Sequence, residues 1–98
     1  MQPKNKLNIK IDEKIGEGVY ANFFMISNSP NEFVIDCGRI APGLPNAKIL
    51  SRIITTPQQA KQLLDLLKKN VDKFEDQFGE IKLFGKSGEK DIGFKSIS

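Results

Sequence analysis

TTPQQAKQLLDLLKKNVDKFEDQFG, residues 55–79, decides the architecture of this chain. Thr56 is placed to cap a helix, Pro57 suits the first helical position, and Gln59 completes a capping box with Thr56. Gly79 supplies a stop that a side chain would oppose. Between them Ala60, Leu63, Leu64, Leu67, Val71, Phe74 and Phe78 fall within an arc of roughly 100° at the helical step. Leu66 alone strays from the stripe. The remaining positions are polar or charged, with Asp65–Lys69 and Lys68–Asp72 at supportive four-residue spacing. A long amphipathic helix follows, and its apolar stripe requires a surface to cover.

Working outward, the preceding residues read as strands. Leu7, Ile9 and Ile11 alternate with Asn8 and Lys10 as a half-buried strand does. Asp12–Gly18 is a glycine turn, Val19–Ser27 a second strand, and Asn28-Ser29-Pro30-Asn31 a turn cluster. Glu32–Ile40 is a third strand, Pro42-Gly43 fits a type II turn, and Ala47–Thr55 is a fourth. The expected fold is α+β: a four-stranded antiparallel meander followed by one C-terminal helix packed on one face. Residues 1–6 are a flexible lead-in, 7–81 the single domain, and 82–98 a mostly disordered Gly/Lys/Ser tail with Phe84, Ile92 and Phe94 as anchors.

Loop lengths give a register. A loop at 28–31 brings Asn22 near Asp36 and Phe24 near Val34. A loop at 41–46 brings Asp36 near Arg52 and Val34 near Ile54. One face then holds Ala21, Phe23, Met25, Phe33, Ile35, Cys37, Ile49 and Ile53, the seat for the helix. The other carries Tyr20, Asn22, Phe24, Asp36 and Arg52 among Ile26, Leu50 and Ile54, with Tyr20 covering Gly38. A one-residue slip inverts these faces. The helix, at about 33 Å, outruns a seven-residue strand of about 23 Å, so Phe74 and Phe78 overhang. A second apolar face and an overhanging helix point to a twofold dimer through Ile26, Leu50, Ile54, Phe74 and Phe78.

Composition narrows the function. At 98 residues the chain is one domain that buries about 60–65% of its unfolded surface. No apolar run approaches the roughly 18 residues of a membrane span, and no signal peptide is expected. Cys37 is the only cysteine, so a reducing cytoplasm is the expected location. Histidine is absent, which removes the commonest general base and the commonest zinc ligand together. The net charge is +3, yet residues 1–14 and 82–98 each carry +2 and the central residues 15–81 carry −1. A basic groove of the kind that tracks phosphates is therefore not expected.

Two motifs dissolve on inspection. Gly16-Glu17-Gly18-Val19-Tyr20-Ala21 matches a dinucleotide fingerprint, but the mechanism needs a helix N-terminus where a strand follows. Gly79 to Gly85-Lys86-Ser87 has five intervening residues where a phosphate loop has four, and no helix follows it. The row Asn22–Asp36–Arg52 is the one polar feature on the sheet. It reads as a cross-strand pair that fixes register, or as a grip for a partner. No nucleophile or second carboxylate accompanies it, so no catalytic, cofactor or metal residue is assigned. Cys37 reads as a small buried hydrophobe beneath the helix.

Gly18-Val19-Tyr20-Ala21-Asn22, Phe33-Val34-Ile35-Asp36, Arg39 and Pro42-Gly43 together resemble a family of short bacterial proteins. The resemblance continues through Ser51-Arg52-Ile53-Ile54, Thr56-Pro57, Ala60-Lys61, Asn70 and Phe78-Gly79, covering about residues 7–81. The family is the domain-of-unknown-function family 3467. The resemblance implies a small, soluble, cytoplasmic protein and supplies no catalytic residues.

Two functions compete. The first is a non-enzymatic interaction module, a homodimer presenting a sheet face or edge to another protein. The second is a single-stranded nucleic-acid binder, since four antiparallel strands then a helix is similar in order to Pur and whirly-type modules. In that reading Tyr20, Phe24 and Arg52 contact bases while lysines follow phosphates. The charge of the central residues favours the first. An enzyme is not expected.

Overall fold

A computed structural model describes residues 7–84 and 94–97. Three strands, β1 (Phe23–Asn28), β2 (Phe33–Arg39) and β3 (Lys48–Thr55), form an antiparallel meander. A one-turn helix, α1 (Glu13–Gly16), precedes them and the long helix α2 (Pro57–Phe78) follows. The meander has three strands where four were expected. Leu7–Ile11 joins no ladder, and Ile9 is 87% exposed. The outer edge of β1, where it would have paired, is taken in parallel by a short strand β4 (Phe94–Ile97). β4 falls within the segment read as a tail, while residues 85–93, with the expected anchor Ile92, lie outside the described residues. Phe84, the other anchor in the described part, is fully open to solvent.

The β2–β3 register is the expected one, with Asp36 opposite Arg52 and Val34 opposite Ile54. It shifts after Cys37, where Gly38 pairs with Ile49 and Leu50 becomes the extra residue of a bulge. The loop between these strands turns as its sequence demands: Gly43 has φ +82° and the Leu44 N–H donates to the Ala41 carbonyl at 3.2 Å.

The β1–β2 register is not the expected one. Phe23 pairs with Gly38, Met25 with Asp36 and Asn28 with Phe33, a displacement of three residues that turns β1 over. The cause is local. The Ser29 hydroxyl accepts from the N–H groups of Asn31 and Glu32, both at 3.2 Å, and the Ser29 N–H donates to the Glu32 carbonyl at 2.9 Å. The loop therefore occupies 29–32 and Asn28 remains in the strand. β1 is apolar on both faces, so its own pattern offers no resistance to that shift.

Helix α2 keeps its expected ends. The Thr56 side chain accepts from the Gln59 N–H at 3.1 Å. At the far end Gly79, at φ +102°, donates its N–H to the Glu75 carbonyl, and the Glu75 carboxylate accepts from the Ile81 N–H, both at 2.9 Å. Thr56→Ala is expected to cost about 1 kcal/mol, read as a lower urea midpoint at unchanged slope. Lys68–Asp72 and Lys69–Asp65 pair at 3.1 and 3.3 Å on the outer face, each contributing a few tenths of a kcal/mol.

What α2 does not do is pack on its sheet. Extended contact joins β2 to β3, β1 to β2 and β1 to β4, and α2 lies along none of them. Among the described residues no hydrophobic side chain is buried. The radius of gyration is 16.6 Å, against about 13 Å for a compact chain of this length. The reason lies in one residue. Thr55 ends β3 and Pro57 begins α2, leaving Thr56 alone as the connection, in extended conformation at φ −81° and ψ 159°. A helix lying on its own sheet must rise about 10 Å off the strands and reverse direction. A single residue reaches about 3.5 Å and leaves little room for both. The expected helix-on-sheet packing is thus replaced by an open arrangement.

Candidate interaction face

The observed pairing sorts the sheet into two unlike faces. On one, Ile26 and Phe24 of β1 align with Ile35 and Cys37 of β2 and with Ser51 and Ile53 of β3. Over these residues the face is uncharged; charge enters it only at one end, where Arg39 pairs with Lys48. On the other, Phe23 and Met25 align with Gly38 and Asp36, and these with Ile49 and Arg52. Cys37, expected beneath the helix, is only half-buried on the uncharged face.

Among the described residues Asp36 and Arg52 form the most strongly built polar contact. Arg52 Nε donates to Asp36 Oδ1 at 2.7 Å and Nη2 to Oδ2 at 3.0 Å, a bidentate fork that only arginine supplies. Asp36 is 7% exposed, whereas the Arg52 side chain is 61% exposed. The carboxylate is thus sunk in the sheet and the guanidinium lies over it, facing outward. The hydrogen bonds from Arg52 hold the Asp36 carboxyl below its ordinary range, with burial acting in the opposite direction. The same hydrogen bonds raise Arg52, so the guanidinium stays charged.

That direction sets a pH dependence. The folded carboxyl binds its proton less readily than the unfolded one. The stability this pair contributes is therefore complete above about pH 4 and is lost as pH falls through the lowered folded value. The urea midpoint should hold between pH 8 and 5 and drop below 4. Asp36→Asn should drop less steeply across the same acid range, and equal slopes would remove the pair from the account.

The expected row Asn22–Asp36–Arg52 is not assembled. Asn22 lies just before β1, where its Oδ1 accepts from the Ile40 N–H at 2.9 Å and its Nδ2 donates to the Ile40 carbonyl at 3.1 Å. It is a staple that continues the ladder past the strand end, with both the oxygen and the nitrogen of its amide engaged by the Ile40 backbone. Met25, not Asn22, stands opposite Asp36. Tyr20 does not cover Gly38; Phe23 and Ile49 do, and Tyr20 instead lies under Arg39, whose guanidinium is 5.4 Å from the ring centroid. Phe24 is on the opposite face from Asp36 and Arg52.

The residues expected to meet a second copy are all exposed, but they do not form one surface. Ile26 is on the uncharged face, Ile54 on the charged one and Leu50 in the bulge. Phe74 and Phe78 stay together, ring centroids 4.9 Å apart, with Phe78 70% exposed near the helix end. Phe23, Met25 and Ile49 belong to the charged face and were missed there. The serine that shifts the β1–β2 loop was the signal that would have placed the first two.

Beside the sheet, Arg39 and Lys48 border an open hollow with Leu44, Pro45 and Leu50. Among the described residues no helix is long and apolar enough to cross a membrane. The family model described as "Protein of unknown function (DUF3467)" matches residues 1–83. No curated protein and no solved structure matches the chain.

Proposed function

Because this chain belongs to the DUF3467 family, whose model carries no activity, we propose a function from its own geometry: a non-enzymatic, homodimeric interaction module that presents its Asp36–Arg52 face to another protein. One observation carries this reading. Both the sheet and the stripe of α2 leave large apolar side chains open, and no described hydrophobic side chain is buried. A chain so built completes its core by association. A partner protein would find apolar contact at Met25 and Ile49 beside an outward guanidinium, the mixture typical of protein interfaces. The lone Cys37 suits a cytoplasmic setting.

Support for the nucleic-acid alternative is weaker. It asks Tyr20, Phe24 and Arg52 to share a surface, and the three are distributed over two faces and a strand end. Sedimentation equilibrium at about 0.1 M salt, with and without a labelled mixed-sequence single-stranded oligonucleotide, separates the readings. A stable dimer that leaves the strand behind supports the interaction module. Co-sedimentation that weakens steeply with salt would transfer the function to nucleic acid. A monomer would remove the module's foundation.

A further inference from the structure

We propose that two copies exchange helices, the α2 of each chain lying across the uncharged Ile26–Ile35–Ile53 face of the other. The inference rests on the homodimer reading above and specifies its interface. Thr56 alone links β3 to α2, a connection that opposes folding back, and the helix lies off its own sheet. Each chain therefore offers one apolar stripe and one apolar row on its sheet, and a twofold axis satisfies both at once.

The choice of face follows from charge. The stripe of Leu63, Leu67, Val71 and Phe74 contains no charged group, and the Ile26–Ile35–Ile53 row contains none either, its face meeting charge only at the Arg39–Lys48 end, whereas Arg52 stands in the middle of the other face. Laid on the other face, the same stripe would strip water from Arg52, a cost that the apolar contact there does not offset. The paired charges Lys68–Asp72 and Lys69–Asp65 stay at the surface in the exchanged arrangement. The area is sufficient. A 22-residue helix presents a stripe of roughly 33 by 10 Å, and two such stripes with their opposing faces bury on the order of 1,300 Å², within the range of specific interfaces.

Cys37, the only cysteine, lies on the proposed receiving face and serves as a native probe. Single substitutions Leu63→Cys, Leu67→Cys and Val71→Cys are made separately, each chain is purified, and each is treated with a short bismaleimide. Every substitution is also placed on a Cys37→Ser background. For at least one position the expected product is a covalent dimer that disappears in the Cys37→Ser background. Refolding that Cys37→Ser chain with wild type should restore the dimer, because the link then joins different chains.

Three results would overturn the exchange. A link confined to one chain would mean the helix returns to its own sheet. A dimer that persists without Cys37 would mean that helix meets helix at the axis. Cross-linking at none of the three positions, in a chain that sediments as a dimer, would place the interface elsewhere. A chain that sediments as a monomer refutes the homodimer itself, so the two failures are told apart by sedimentation.

Discussion

Leu67→Asp is expected to abolish the proposed dimer and with it cooperative unfolding, while Leu66→Asp is expected to change little. The two leucines are each 58% exposed in the isolated chain, so an isolated chain has no means of telling them apart. Surface changes of this kind usually stay within about 0.5 kcal/mol. Only the packed arrangement separates them, because Leu67 is on the stripe and Leu66 is off it. A carboxylate at 67 would be carried into an apolar face with no partner, after removal of a packed side chain. The combined cost is about 3–5 kcal/mol, enough to unfold a small assembly of ordinary stability.

Circular dichroism melts at about 1 and 100 μM protein report the same physics in the wild type. If folding requires association, the midpoint rises with concentration, since binding to the folded state stabilises by mass action. A midpoint indifferent to concentration, with equal effects at 66 and 67, would return α2 to the status of a solvated appendage.

Gly38→Ala is expected to be the most damaging single methyl group in the sheet. A Cβ built at Gly38 would lie 2.6 Å from the Lys48 carbonyl oxygen, 2.8 Å from the Phe23 ring and 3.2 Å from Ile49 Cδ1. Phe23 can turn and Ile49 can shift, but Lys48 is main chain at the bulged end of the β2–β3 ladder and moves only if the strands part. Overpacking of this kind costs about 1–3 kcal/mol. Gly43→Ala is the informative comparison. Nothing lies within 4 Å of its Cβ, and its positive φ of 82° alone resists the change. Urea midpoints at constant slope should place Gly38→Ala lowest. A harmless Gly38→Ala would mean that the bulge is loose.

The parts of this fold legible in the sequence are those specified by neighbours along the chain. Thr56, Pro57 and Gly79 mark the ends of α2 because capping is satisfied within a few residues. Pro42-Gly43 and the Asp36–Arg52 pair fix the β2–β3 register because turn chemistry and opposite charges agree. β1 was misread because Phe23, Phe24, Met25 and Ile26 are apolar in succession, and a strand without a polar face gives no sign of which side is inward. Leu7–Ile11 has the alternation of a strand but meets no open edge. The stripe of α2 calls for an apolar surface; it does not say whether that surface belongs to the same chain. The length of the connection at Thr56 bears on that, and it is legible only once β3 is seen to run to Thr55. At the site, the ion pair was readable from two charges on adjoining strands. The backbone role of Asn22 was not, because it depends on where β2 ends.

The bulge at Leu50 bears on solubility. β3 is the outermost strand on its side of the sheet, and Ile49-Leu50-Ser51-Arg52-Ile53-Ile54 is rich in residues that favour cross-β stacking. A straight edge of that composition would template copy upon copy into fibrils. The extra residue breaks the even spacing of donors and acceptors, so an arriving strand cannot zip along the whole edge. Deleting Leu50 should regularise the ladder and hasten the appearance of thioflavin-positive aggregate. A deletion variant as slow to aggregate as the wild type would assign that protection to Arg52 and Lys48 instead.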